Sequence, residues 1–242
     1  MKQIDAKQVQ MDGSGAMFDA IAERYDGLNR VISLGLDQSW RRRTVRALAL
    51  ETGQRVLDVA TGTADLALMA ARLHEGVSFV GVDPSTKMVE IGVEKVERAK
   101  LGGRVVLRLG DACALPAADA SFDAAMMAFG IRNVADRPRA LEELARVVRP
   151  GGRIAILEAS EASRGILAPL ARFHSRVVVP RVASLFSSRK AYEYLETSIR
   201  AFPPPEVFRG MMEDAGLQVE RVDSFTFGVV SLYVAVSRGP VK

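Results

Sequence analysis

Five short apolar runs, each followed by a turn and a stretch with helical periodicity, constrain this chain more than any other feature. They are V-L-D-V-A (Val56 to Ala60), S-F-V-G-V-D (Ser78 to Asp83), Val105 to Leu109, Phe122 to Met127 and R-I-A-I-L-E (Arg153 to Glu158). Runs this short, rich in Val, Ile and Phe, read as buried strands. Leu66 to Leu73, Ser85 to Ala99 and Arg139 to Val148 carry helical patterns between them, with Ser85 placed as an N-cap. Strands alternating with helices at this spacing predict an α/β fold: a mostly parallel sheet, helices on both faces, and right-handed crossovers.

The flanks differ from this core. Residues 1–15 are polar and read as a loose arm. From Ala16 to Leu50 the pattern is helical, with Phe18, Ile21, Ala22, Tyr25 and Leu28 recurring at three- and four-residue spacing. After Glu158, residues 160–200 read as irregular helical cover. A helix from Pro205 to Ala215 is stopped by Gly216. Two late strands, near Gln218 to Val222 and Leu232 to Val236, predict an antiparallel C-terminal edge. The expected organisation is a single domain over residues 16–242, with a core at 54–158.

Composition narrows the function classes. Of the 242 residues 48% are hydrophobic and 26% charged, which excludes a disordered chain. The net charge of +4 is too small to argue for nucleic-acid binding, although it suits an anionic membrane surface. Cys113 is the only cysteine, so no intramolecular disulfide can form and a reducing, cytoplasmic setting is expected. His74 and His174 stand far apart, so no zinc-ligand spacing exists and no metal is expected. The N-terminus does not read as a signal peptide, and no run of about 18 apolar residues is present.

The stretch V-L-D-V-A-T-G-T-A-D-L, Val56 to Leu66, joins a strand to a helix through a turn with one glycine, Gly62. In open α/β sheets ligands sit beyond the C-terminal strand ends, and three acids fall there: Asp58, Asp83 and Asp111. Asp83 follows Gly62 by about 20 residues, the spacing of a carboxylate that accepts from ribose hydroxyls. That spacing also fits NAD. The G-x-G-x-x-G pattern is absent, however, so close backbone approach to a pyrophosphate is unsupported. Asp111 offers a second acceptor, for the exocyclic amine of an adenine. A turn without a phosphate cradle, surrounded by carboxylates, suits a cationic nucleoside such as S-adenosylmethionine. Gly62 would let the backbone approach it, and the Thr63 hydroxyl would bind it. The competing reading of any one strand-end acid is a helix cap.

Four segments carry a family resemblance: Y-D-G-L-N-R-V-I-S-L-G-L-D-Q-S-W (Tyr25 to Trp40), the Val56–Leu66 turn, F-G-I-R-N-V (Phe129 to Val134) and R-V-V-R-P-G-G-R-I (Arg146 to Ile154). In these the chain resembles the class I S-adenosylmethionine-dependent methyltransferases, and more closely their ubiquinone/menaquinone C-methyltransferase branch. The resemblance implies a Rossmann-like fold and S-adenosylmethionine as cofactor. It implies cofactor roles for Thr63, Asp83, Asp111 and Ala112. Ala128 stands where that branch often has a serine linked to the cofactor. The implied reaction is methyl transfer to a ring carbon of a polyprenylated quinol, with demethylmenaquinol the leading acceptor and a ubiquinone precursor a second one. Another small aromatic or polyketide-like acceptor, an NAD-dependent oxidoreductase and a non-catalytic binding module are the competing readings.

For the acceptor, Arg132 is expected to stabilise a developing oxyanion, with Asn133 as a neutral donor. Its alternative role is a structural salt bridge. His174 is a candidate base, since its unperturbed pKa lies near neutrality. Tyr25, Asp26 and Asn29 are expected on a helix covering the cofactor. Ile166 to Phe186 is apolar and interleaved with Arg172, Arg176 and Arg181, a pattern for a lid that houses the acceptor tail or touches a membrane surface.

Overall fold

The computed structural model of the chain describes residues 14–159 and 189–239. Helices α1 (Ser14–Ile32) and α2 (Leu36–Ala47) precede the core. The core runs β1 (Arg55–Val59), α3 (Asp65–Leu73), β2 (Ser78–Asp83), α4 (Thr86–Arg98), β3 (Val105–Leu109), β4 (Phe122–Ala128), α5 (Arg137–Val147) and β5 (Val148–Ala159). It is completed by α6 (Arg189–Ala201), α7 (Pro205–Asp214), β6 (Leu217–Phe225) and β7 (Val230–Ser237). The seven strands form one sheet in the order β3-β2-β1-β4-β5-β7-β6. β1 to β5 pair in parallel, and β7 runs antiparallel between β5 and the edge strand β6.

Each sheet face buries a separate apolar layer, as strands sandwiched by helices require. One layer joins Leu57, Val80, Val82, Met127 and Ile156 to Leu141 and Leu144 of α5 and Phe208 of α7. The other joins Val56, Phe79, Met126 and Leu157 to Val45 of α2, Leu66 and Ala70 of α3, and Val96 of α4. Local signals set the helix starts. Ser85 caps α4 by accepting from the Met88 amide at 3.2 Å, and Asp136 caps α5 by accepting from the Arg139 amide at 3.0 Å. The chain runs outward from β1 through β2 to β3 and then returns to place β4 on the other side of β1, so the strand order switches at β1 and β4 and a crevice opens beyond their C-terminal ends.

Two bounds become specific in the structure. The Ala16–Leu50 helical pattern is divided into two helices: the chain turns at 33–35, where Leu34 (φ 54) and Gly35 (φ 78) adopt left-handed backbone. Ser33 continues back to the Asn29 carbonyl, and the new helix then begins at Leu36. The R-P-G-G stretch, which precedes the expected Arg153–Glu158 strand, belongs to β5. The pairing with β4 jumps from Phe122↔Val148 to Ala124↔Arg153, so Arg149 to Gly152 bulge from the ladder. A Cβ on Gly152 would lie 2.5 Å from the Asp123 carbonyl oxygen, which requires glycine there. The expected N-terminal arm and the Ile166–Phe186 lid fall largely or wholly outside the described residues, and His174 lies outside them.

Candidate active site

A cavity of about 290 Å³ opens at the C-terminal ends of β1, β2, β3 and β4. Among the residues lining it are seven that sequence reasoning singled out: Tyr25, Gly62, Asp83, Asp111, Ala112, Ala128 and Asn133. Around it the backbone repeatedly enters the left-handed region, at Ala60 (φ 53), Gly62 (φ 54), Ala64 (φ 65) and Phe129 (φ 60). Non-glycine residues held there cluster at functional sites because the surrounding packing over-determines them.

Asp83 ends β2 with both carboxylate oxygens oriented. One accepts from the Gly62 amide at 2.8 Å and the other from the Ser85 amide at 2.9 Å. Burial raises its pKa, partly offset by these two amides. Each oxygen keeps a lone pair for a hydroxyl donor. Asp111 is exposed and accepts from the Cys113 amide at 2.9 Å, so the loop fixes one oxygen and leaves the other available. Gly110 approaches closely; a Cβ there would sit 2.7 Å from Val82. Val82, Pro84, Met88 and Ala112 supply apolar wall between the two acids. Two carboxylates on an otherwise largely apolar lining, with no cation lining the cavity among the described residues, fit a nucleoside carrying positive charge and no phosphate.

Asp58 and Thr63 point elsewhere. Asp58 is buried against α2 and α3, not on the cavity wall. It accepts from the Thr61 hydroxyl at 2.6 Å and from the Ala67 amide in the first turn of α3, so it acts as the helix cap and not as a ligand acceptor. Burial, opposed mainly by the Thr61 hydrogen bond, pushes its pKa up to about 7. Gly81, opposite Asp58 in the ladder, leaves room for Thr61, whose Oγ1 would be 2.8 Å from a Cβ there. The Thr63 hydroxyl donates to Asp26 of α1 at 2.6 Å and accepts from Lys95 at 3.1 Å. It is a latch component beside the pocket.

The helix expected to carry Tyr25 and Asp26 over the cofactor is fastened by side-chain contacts that were not anticipated. α1 lies across the cavity, presenting Phe18 and Tyr25 to it. Asp26 binds Lys95 at 2.7 Å, and Lys95 also binds Asp65 at 2.5 Å. Two turns earlier, Asp19 accepts from the Ser85 hydroxyl at 2.5 Å and the Lys87 amide at 3.1 Å, at the start of α4. The signal was present as a doublet, F-D at 18–19 and Y-D at 25–26, seven residues apart and therefore on one helix face.

On the β4 side, the Ile131–Asn133 turn carries Arg132 and Asn133. Arg132 is 7% exposed and does not line the cavity. Its Nη1 donates to Glu158 at 2.5 Å and to the Phe129 carbonyl at 2.9 Å. Burial opposes its charge, but Glu158 outweighs that and its pKa is raised. The cation is thus neutralised by a buried carboxylate, and the direct oxyanion contact expected of it gives way to the salt-bridge role. Asn133 does face the cavity, and its Oδ1 accepts from the Tyr194 hydroxyl of α6 at 3.1 Å. Tyr194 and Glu158 were both missed, since their contacts span 61 and 26 residues of chain. Phe18 packs edge-to-face on Tyr25 and Tyr194, with centroids at 5.9 and 6.5 Å, so the aromatic part of the lining is a connected cluster. Among the described residues no group of His, Cys, Asp and Glu could hold a metal ion.

Solved structures share this architecture. The cyclase SpnF superposes with a TM-score of 0.70 at 18% identity, covering 98% of this chain and 97% of its own. A SAM dependent methyltransferase from Aquifex aeolicus gives 0.58 at 19% identity, covering 97% of this chain and 100% of its own. With the acid-lined slot, this is the fold of a class I S-adenosylmethionine-dependent methyltransferase. The profile of the ubiE/COQ5 methyltransferase family matches residues 3–237, and the chain belongs to that family. It is 44% identical over 220 residues to the ubiquinone/menaquinone biosynthesis C-methyltransferase UbiE of a Geobacter species, covering 90% of this chain and 94% of that protein. It is 43% identical over 219 residues to the demethylmenaquinone methyltransferase of Thermus thermophilus, covering 90% and 98%. The protein is a methyltransferase, and S-adenosylmethionine is its methyl donor.

Proposed function

We propose that the protein methylates a ring carbon of a polyprenylated quinol, with demethylmenaquinol as the leading acceptor. The observation that carries this reading is the cavity lining, which combines the acids Asp83 and Asp111 with Phe18, Tyr25, Phe129 and Asn133. Relatives named for menaquinone and ubiquinone biosynthesis support the acceptor class.

S-adenosylmethionine, when bound, supplies an electrophilic methyl group. Asp83 is suited to its ribose hydroxyls and Asp111 to its adenine amine, with Ala112 and Met88 flanking the base and Gly62 and Ala128 lining the approach. The aromatic cluster stacks with a flat acceptor ring. Tyr25 and Asn133 offer hydrogen-bonding groups to its hydroxyls, and a deprotonated hydroxyl makes the adjacent ring carbon nucleophilic. That carbon would take the methyl group as the methyl–sulfur bond breaks, leaving S-adenosylhomocysteine, and would release its ring proton to solvent, restoring aromaticity. Holding both reactants in one dry cavity is worth up to about 7–11 kcal/mol of barrier. Arg132, bound to Glu158 and to the Phe129 carbonyl, acts as a positioning residue that holds the Phe129–Asn133 turn.

Mass spectrometry of quinones from cells lacking the protein tests the reading. We expect a quinone lighter by one methyl group to accumulate, and the normal species to return on re-expression. An unchanged quinone profile would remove the quinol assignment.

A further inference from the structure

A second groove, of about 380 Å³, lies on the face away from the sheet, between α2, α3 and α4. Its walls are basic. Arg42 of α2, Arg72 of α3 and Arg98 of α4 line it, with Arg30 and Lys95 at one end. Asp65 is the one carboxylate lining it among the described residues. Lys95 is occupied by Asp26 and Asp65, Arg30 by Asp37 and Asp65, and Arg98 by Glu94. Arg42 and Arg72 have no partner of any kind among the described residues. The floor is apolar and includes Leu68, Met69 and the 40%-exposed Leu73.

The turn between α1 and α2 adjoins this groove, since Arg30 and Gln38 on either side of it are lining residues. At its apex Leu34 is 68% exposed and Leu36 43% exposed. Leu34 also sits at φ 54, a backbone region that non-glycine residues rarely adopt. An apolar side chain is therefore held outward on the turn that adjoins the groove. Charge complementarity selects the occupant, because two guanidinium groups without a partner among the described residues, on a groove next to exposed leucines, match an anionic phospholipid surface.

We infer that this face docks the enzyme on an anionic membrane, with Leu34 and Leu36 entering the headgroup region and Arg42 and Arg72 binding lipid phosphates. The inference rests on the quinol reading, which gives the enzyme a lipophilic acceptor to collect from a bilayer.

The test is cosedimentation of the full chain with vesicles of phosphatidylcholine alone or mixed with phosphatidylglycerol. Binding to the anionic vesicles should be at least about ten-fold stronger and should weaken with salt. Each basic residue near such a surface is worth about five-fold, so the paired Arg42→Gln and Arg72→Gln variant should bind about 30-fold more weakly. Leu34→Asp should also reduce binding. These variants should keep the parent melting temperature and its turnover of a short-chain, water-soluble demethylated quinol. Equal binding to both vesicle types, or unchanged binding by the double variant, would overturn the inference. So would complete displacement by millimolar inorganic phosphate, which would mark a site for a free anion. Failure of the parent enzyme to turn over the soluble quinol would instead strike the quinol reading and leave the vesicle result standing.

Discussion

Asp58 and Asp83 sit on neighbouring parallel strands, and both carry pKa values raised by burial, yet they do different work. Asp58 has its acceptors filled by Thr61 and Ala67 and faces the helices, whereas Asp83 faces the cavity. Asp58→Asn should therefore keep binding of S-adenosylhomocysteine within about two-fold. Asp83→Asn should weaken it by about 10- to 100-fold, the range for losing charged hydrogen bonds of about 1.5–3 kcal/mol; calorimetric titration reads both. The folded pKa of Asp58, about 7, lies above the ordinary 3.9 of an unfolded chain, so the folded state holds the proton more tightly between about pH 4 and 7. Its contribution to stability is full below about pH 4 and is lost as pH rises to about 7. Asp58→Asn should remove that part of the decline in chemical-denaturation midpoint across this window. If the wild-type and Asp58→Asn profiles stay parallel there, Asp58 is already charged in the folded protein.

At the scale of elements, α1 has the most to do with the site and the weakest backbone connection to it. Its hold is a set of side-chain contacts, Asp26 to Thr63 and Lys95, and Asp19 to Ser85 and Lys87. Asp26→Ala leaves the Thr63 hydroxyl without its acceptor and removes one of two carboxylates from Lys95, a loss of about 1–2 kcal/mol for partly exposed groups. We expect faster amide exchange along α1 and a several-fold weaker cofactor, with an unchanged exchange pattern in β1 to β5. Normal cofactor affinity with normal α1 protection would show that the latch carries no function. These contacts mark the limit of what the sequence discloses. The bounds of β2 and β3, and the Ser85 cap, follow from neighbours in the chain, so period and capping chemistry reveal them. Acids at the ends of those strands are legible for the same reason, because the strand end is itself a local feature. Which way Asp58 and Thr63 turn depends on where α3 and α1 dock, and Arg132 meets Glu158 only after β4 and β5 pair. The left-handed Leu34 was hidden because no glycine or asparagine marks that position itself.

For the molecule as a whole, stability resides in the sheet and its two apolar layers, remote from α1. Phe208 shows this at the far end: fully buried, it stacks on Phe202 and Tyr233 with both centroids at 4.9 Å, joining α7 to β7. Phe208→Ala should cost about 3–5 kcal/mol in urea unfolding. Affinity for S-adenosylhomocysteine should be preserved while the variant remains folded, because none of these three rings lines the cavity. A stability loss below about 1 kcal/mol would mean that the layer closes over the missing ring. The 19-residue α1 belongs to no ladder of the seven-stranded sheet. Its fastening to Thr63, Ser85, Lys87 and Lys95 is thus independent of every strand pairing. A mutation that hardens the sheet is therefore expected to leave the release of spent nucleoside at its parent rate, read by stopped-flow dissociation of S-adenosylhomocysteine.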